Sequence, residues 1–450
     1  MVRMGFILLL VACDGGASKG LRGSTSGEWP NPLYVRAGAS GMGTEDDPMG
    51  DLGRAVAEGV EFGEVRVFPG TYQGPFTIGH ALRLTGLPED GQRPILTAPP
   101  GSALVVQAAG DFELSVSELV IDAGGATGID LRGPHATLRS VEVQGGGHGV
   151  YVQGGRLDAD QLHLRGAERF ALLAQGSAVR LVDLQVDGQD RGPGVRLEEC
   201  TATLLGGEIA HTLGFGLASL SSHTEITALG ISKVTTANVD LDGDALLAGP
   251  LSGGEGGSLD LLGVDVREAQ RAGVIVFGTT AGDLSNSTFA HHGRGGVWLQ
   301  GTAPARLEGN RLEGNGLLNA YAGPGSVTTL VDNLLLDPVP EHPFGRPPEV
   351  LASYGLVADG ATLELLGNSL VGASEAGVLA AETEGTLADT LISDCPTGLL
   401  LQASPALVAE GTRFVEVAEP QRVLAGVELP APLRLEVTGV DPVTAPQPDL

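Results

Sequence analysis

Between Gly128 and Leu401 a short phrase, glycine, apolar, any, apolar, returns about once every 22 residues. It reads Gly128-Ile129-Asp130-Leu131, Gly149-Val150-Tyr151-Val152, Phe170-Ala171-Leu172-Leu173, Gly194-Val195-Arg196-Leu197, Gly216-Leu217-Ala218-Ser219 and, with the glycine lost, Asn238-Val239-Asp240-Leu241. It resumes at Gly273, Gly296, Gly355, Gly377 and Gly398. A second alternating run follows each copy, as in Ala136-Thr137-Leu138-Arg139 or Ala361-Thr362-Leu363-Glu364-Leu365. Both runs have period two, which is the period of strands, and self-similarity at this spacing predicts a solenoid whose units stack only on their neighbours.

A coil of about 22 residues with two or three short strands and glycine-rich turns has the size of one rung of a parallel β-helix. The pattern resembles the single-stranded right-handed β-helix superfamily that includes pectate lyases, polygalacturonases and many non-enzymatic surface proteins. The resemblance covers about four-fifths of the chain and implies an all-β, right-handed parallel β-helix with a short N-terminal helical cap. It says little about chemistry, because function is grafted onto rungs.

With 70 glycines in 450 residues, 4% aromatic and 42% hydrophobic residues, the chain can bury one long, narrow core. A net charge of −29 argues against nucleic acid or anionic lipid headgroups as main partners.

In chain order, residues 1–13 read as a signal peptide, with one basic residue, Arg3, before an apolar run too short to span a bilayer. Leu10-Val11-Ala12-Cys13 resembles the lipobox of bacterial lipoproteins, which implies acylation of Cys13 and anchoring in a lipid bilayer of the cell envelope. Residues 14–32 read as a flexible tether and 33–64 as a cap. In the cap, Asp47 and Pro48 start a helix and Leu52, Val56 and Phe62 give it an apolar side. The β-helix is expected over 65–428 and a Pro-rich tail over 429–450. Cys200 and Cys395 lie some eight rungs apart, roughly 40 Å, and cannot pair.

Two interruptions, Gly243 to Gly257 and the Pro-rich Asp337 to Ser353, should leave the coil as loops. Outward-facing columns are where chemistry has to be sought. The third residue of the phrase, and the residue two further on, place Asp130, Arg132, Tyr151, Gln153, Arg196 and Glu198 on one face as candidate glycan contacts. The late rungs are apolar there: Ile275, Phe277, Trp298, Val357, Leu379 and Leu400 form a candidate partner surface, to be covered by the Pro-rich loop, the tail or another protein.

Specific catalytic signals are few. Gly147-His148-Gly149 resembles the Gly-His-Gly of polygalacturonases, but the aspartate pair and the Arg-Ile-Lys of that family have no counterpart. Asp240, Asp242 and Asp244 alternate and offer a weak Ca2+ site. His291-His292 reads as a turn, and Asn286, Asn310, Asn333 and Asn368 read as a turn-asparagine ladder. The resulting expectation is a membrane-anchored exported lipoprotein, a surface or periplasmic scaffold or carbohydrate-contacting module, with another envelope protein as an alternative partner. A polysaccharide lyase or glycoside hydrolase acting on an acidic polysaccharide is the competing reading.

Overall fold

A computed structural model describes residues 32–59, 63–236, 243–340, 352–404, 406–424 and 441. The signal peptide with Cys13, nearly all of the tether, Phe62, Asp240, Asp242, most of the Pro-rich loop and all but Asp441 of the tail lie outside them.

The described chain is a parallel β-solenoid of about 15 turns, with the right-handed coil that parallel crossovers adopt. Away from the two ends, each described strand pairs in parallel with the strand one coil before and one coil after it. Three sheets result. The first carries the repeated phrase, for example Thr127–Arg132, His148–Gln153 and Phe170–Gln175. The second and third are formed by the alternating run and its continuation, which fuse into long strands such as His135–Gly145 and Arg156–Arg165. Alternation sends Leu157, Ala159, Leu162 and Leu164 inward while Asp158 and Asp160 face out. Stacked over all rungs, these side chains make one continuous core.

The bend between the second and third sheets recurs at a residue with left-handed backbone, including Ser140 (φ 50°), Gln161 (φ 55°), Asp183 (φ 50°) and Gly206 (φ 71°). The next residue points into the core. It is Val141, Leu162 or Leu184 in early rungs and Ser287, Asn310, Asn333 or Asn368 in later ones. The asparagines form the expected ladder: Asn310 N donates to Asn333 Oδ1 and Asn333 N to Asn368 Oδ1, both at 2.9 Å. Asn286 does not belong to it. Asn286 is itself the left-handed residue (φ 50°), and Ser287 takes the ladder place, receiving Val264 N and donating its own N–H to Asn310 Oδ1.

At the N-terminal end, Leu33–Val35 extends the second sheet and the helix Leu52–Glu58 buries Leu52, Ala55 and Val56 against the first coil. Its cap is Asp51, whose carboxylate accepts Arg54 N at 2.9 Å, rather than Asp47. Asp47 instead closes its own turn by accepting Met42 N. Cys200 and Cys395 are buried free thiols, and burial pushes the Cys200 thiol up to about 11.

Candidate polar face of the first sheet

In the first sheet Ile129 and Leu131 enter the core, so Asp130 and Arg132 face outward, and parallel pairing repeats that choice on every rung. The register runs Asp130, Tyr151, Leu173, Arg196 in one column and Arg132, Gln153, Gln175, Glu198 in the next. All six candidate glycan contacts therefore share one face, as the sequence implied.

One register differs. Ala171, not Phe170, stands where Gly149 stands, which makes Leu172 and Ala174 core residues and turns Leu173 and Gln175 outward. The small residue was the available signal: a Cβ at Gly149 would crowd the Ala171 carbonyl, and most rungs carry glycine or alanine at this place, with Asn319 a later exception. Gln175, missed by the slip, is the connecting member of the face.

A hydrogen-bonded chain crosses the rungs. Tyr151 Oη donates to Gln175 Oε1 at 2.8 Å, Gln175 Nε2 donates to Glu198 Oε2 at 2.6 Å, and Arg196 Nε donates to Glu198 Oε1 at 2.6 Å. Arg132 grips Asp130 through Nε and Nη2 at 3.0 and 2.9 Å, and its guanidinium lies 5.6 Å from the Tyr151 ring centre. Beside this chain runs a short aromatic row, with His148 stacked on Phe170 at 5.7 Å and Phe170 against Phe215 at 6.1 Å. Gln153 is exposed at the edge.

Burial is the surprise. Asp130 and Tyr151 are fully buried, and Arg196 and Glu198 are 3% exposed, although all four point away from the coil. Arg196 Nη2 donates to the backbone carbonyl of Asp441, which stands against this face. His148 is also buried, with no partner on either ring nitrogen, and burial followed by the charge of Arg169 pushes its imidazole down to about 4. Burial pushes the Tyr151 phenol up to about 12.

The apolar half of the face is covered too. Ile275, Trp298, Val357, Leu379 and Leu400 are at most 3% exposed and form a second hydrophobic cluster, separate from the core, with Phe277 packed at its edge. The sequence had these side chains covered by the Pro-rich loop, the tail or another protein, and in the structure they are buried. Tyr321 and Leu247, absent from the sequence reading, complete the column.

Leu247 marks a second correction. The phrase of its rung is Ala245-Leu246-Leu247-Ala248 within Asp244–Gly249, not Asn238 to Leu241. Its neighbouring rungs present Ala218 and Ile275 in the same covered column, and an apolar residue suits that place as an aspartate would not. Asp244 thereby leaves the weak Ca2+ site. Its carboxylate is buried, accepts Arg271 Nε at 2.8 Å and a second bond from Arg271 Nη2, and accepts Ala272 N at 3.2 Å. Among the described residues no group of three His, Cys, Asp or Glu side chains could hold a metal ion.

The two carboxylates of this face are not spaced as a glycosidic acid and base pair. Asp130 and Glu198 stand three rungs apart, roughly 14 Å, whereas glycosidic acid and base pairs stand about 5 to 9.5 Å apart. His148 is no general acid there either, being stacked and held neutral. His292 is buried in the coil, not in an exposed turn.

No family model and no curated protein sequence matches the chain. Solved structures do. The A-module of a mannuronan C-5 epimerase from Azotobacter vinelandii is 15% identical over 81% of this chain and 95% of that one, with a TM-score of 0.31. The catalytic unit of a GH87 α-1,3-glucanase from Streptomyces thermodiastaticus is 13% identical over 84% and 68%, with a TM-score of 0.38. A family 28 exopolygalacturonase from Yersinia enterocolitica is 11% identical over 89% and 79%, with a TM-score of 0.29. Identities this low, with TM-scores below 0.5, say nothing of chemistry.

Proposed function

We propose that this chain is an exported β-helix that contacts carbohydrate through the polar face of its first sheet without cleaving it, held at the bacterial envelope by acylation of Cys13. The observation that carries the reading is the chain Tyr151, Gln175, Glu198, Arg196, flanked by the rings of His148 and Phe170. Planar hydrogen-bonding groups on rigid strands beside aromatic faces are what sugar hydroxyls and sugar ring faces require. Charge narrows the ligand. Arg132 is matched by Asp130 and Arg196 by Glu198, so the face is balanced on a chain of net charge −29, which favours a neutral glycan over a polyanion.

The test is incubation of the full chain with neutral and acidic polysaccharides, reading both retention and the size of the recovered glycan. Retention of intact neutral glycan, lost in Glu198→Gln and Tyr151→Phe variants, is expected. Shortened glycan would replace this reading with the lyase or hydrolase one, and no retention across the panel would overturn both. Membrane attachment is tested separately: Cys13→Ala should move the chain out of the membrane fraction.

A further inference from the structure

The outward column of the first sheet runs in unbroken register from Arg196 to Arg422 in nine rung steps. At about 4.8 Å per rung this is roughly 43 Å of face. Its apolar members point away from the coil, so the coil cannot bury them, yet Trp298, Ile275 and Val357 are fully buried. Something lies along the column from Ala218 to Leu400.

The ends of that cover are fixed by described residues. The last strand, Arg413–Leu424, ends at the final rung, and Asp441 stands at Arg196, nine rungs back. The chain between them has to run back along the axis, and the 17 residue steps from Leu424 to Asp441 suffice: at about 3.1 to 3.3 Å per extended step they reach roughly 53 to 56 Å. The sequence suits the path. Val427, Leu429, Ala431, Leu433, Leu435 and Val437 occupy every second position, while the positions between them carry charge or proline. That is one apolar side of an extended segment, matched to an apolar column. The Pro-rich loop is the weaker candidate, since it leaves and re-enters the coil between Leu336 and Tyr354 and has no such alternation.

We infer that the apolar column is the docking site of the chain's own C-terminal segment, residues 425–441, running from the last rung to Arg196. The docking stands whatever the ligand is. Only its bearing on a glycan, which would share Arg196 with Asp441, rests on the function proposed above.

Trp298 reports on it directly. In a full chain carrying Trp29→Phe, Trp298 is the sole tryptophan. Ending that chain at Leu424 should shift its emission to the red and raise acrylamide quenching severalfold, with the strand signal in circular dichroism kept, and a synthetic 425–450 peptide should restore protection. Unchanged quenching in a truncated chain that keeps its strands overturns the proposal, as does exposure of Trp298 only on deletion of 341–351. Should truncation abolish the strand signal, a full-length Cys13→Ala chain with Arg196→Cys and Asp441→Cys decides. A short bismaleimide should join the two cysteines within one molecule, and should fail when the partner cysteine is placed at Asp283→Cys on the second sheet; equal yields from both pairs overturn it. Exposure of Trp298 without any glycan retention would end the carbohydrate reading and leave the docking standing.

Discussion

His292 receives the backbone N–H of Ala269 on its Nδ1 at 3.1 Å, and its own backbone N–H goes to Asn315 Oδ1 at the same distance. The imidazole thus does for one rung what the Asn310, Asn333 and Asn368 amides do for theirs. It can do so only while Nδ1 is bare, and burial pushes the ring down to about 3.

A pH dependence follows. His292 and His148 both titrate lower in the folded chain than the ordinary value of about 6.5, so the unfolded chain takes up protons first as pH falls. The stability they permit is present in full above about pH 6.5 and is lost as pH falls from there to about 4 for His148 and about 3 for His292. The combined loss should be on the order of a few kcal/mol. Chemical denaturation at pH 7 and pH 4.5 checks it. His292→Asn, which keeps an acceptor in place, should flatten the profile while costing about 1 kcal/mol or less at pH 7.

The ladder itself is testable at Asn333. Its Oδ1 receives Asn310 N at 2.9 Å and its Nδ2 donates to the Leu307 carbonyl at 2.9 Å. Asn333→Ala should destabilise by about 2 to 4 kcal/mol, because two buried backbone groups are left unpaired. Asn286→Gly, at the neighbouring kind of position, should change stability by about 0.5 kcal/mol or less, since a left-handed turn suits glycine. Equal losses in the two variants would contradict the distinction.

Gly295 is under a different constraint. A Cβ there would press on the Trp298 indole and, at 2.8 Å, on Leu318 Cδ1. Gly295→Ala should cost about 1 to 3 kcal/mol and disturb Trp298 emission, measurable in the single-tryptophan chain.

How much of this could be read beforehand depended on which interactions repeat. The coil, its parallel pairing and the shared face of Asp130, Tyr151 and Arg196 follow from period-two patterns that every rung repeats. The register at Phe170 did not, because two apolar residues in a row, Leu172 and Leu173, fit either parity, and only the small Ala171 decides between them. Ser287 escaped for a similar reason: the conspicuous Asn286 beside it occupies the turn. The contact of Arg196 with Asp441 was beyond local pattern altogether, since the two are 245 residues apart and no rung spacing connects them.

Asp244 and Arg271 give the sharpest stability test. Both side chains are almost wholly inaccessible, bonded twice to one another across one rung, and the Asp244 carboxylate also holds Ala272 N. Removing one charge leaves the other in a medium that solvates it poorly, so Asp244→Asn should cost about 3 to 5 kcal/mol. Removing both is different: Asp244→Asn with Arg271→Met takes away the stranded charge along with its partner and should recover much of that loss. A double-mutant cycle by chemical denaturation measures the coupling, and additive losses would show that the pair is not a unit. Calcium belongs in the same experiment. A carboxylate already committed to a guanidinium and a backbone N–H has little left for a cation, so added Ca2+ should leave the unfolding midpoint of the wild-type chain unchanged.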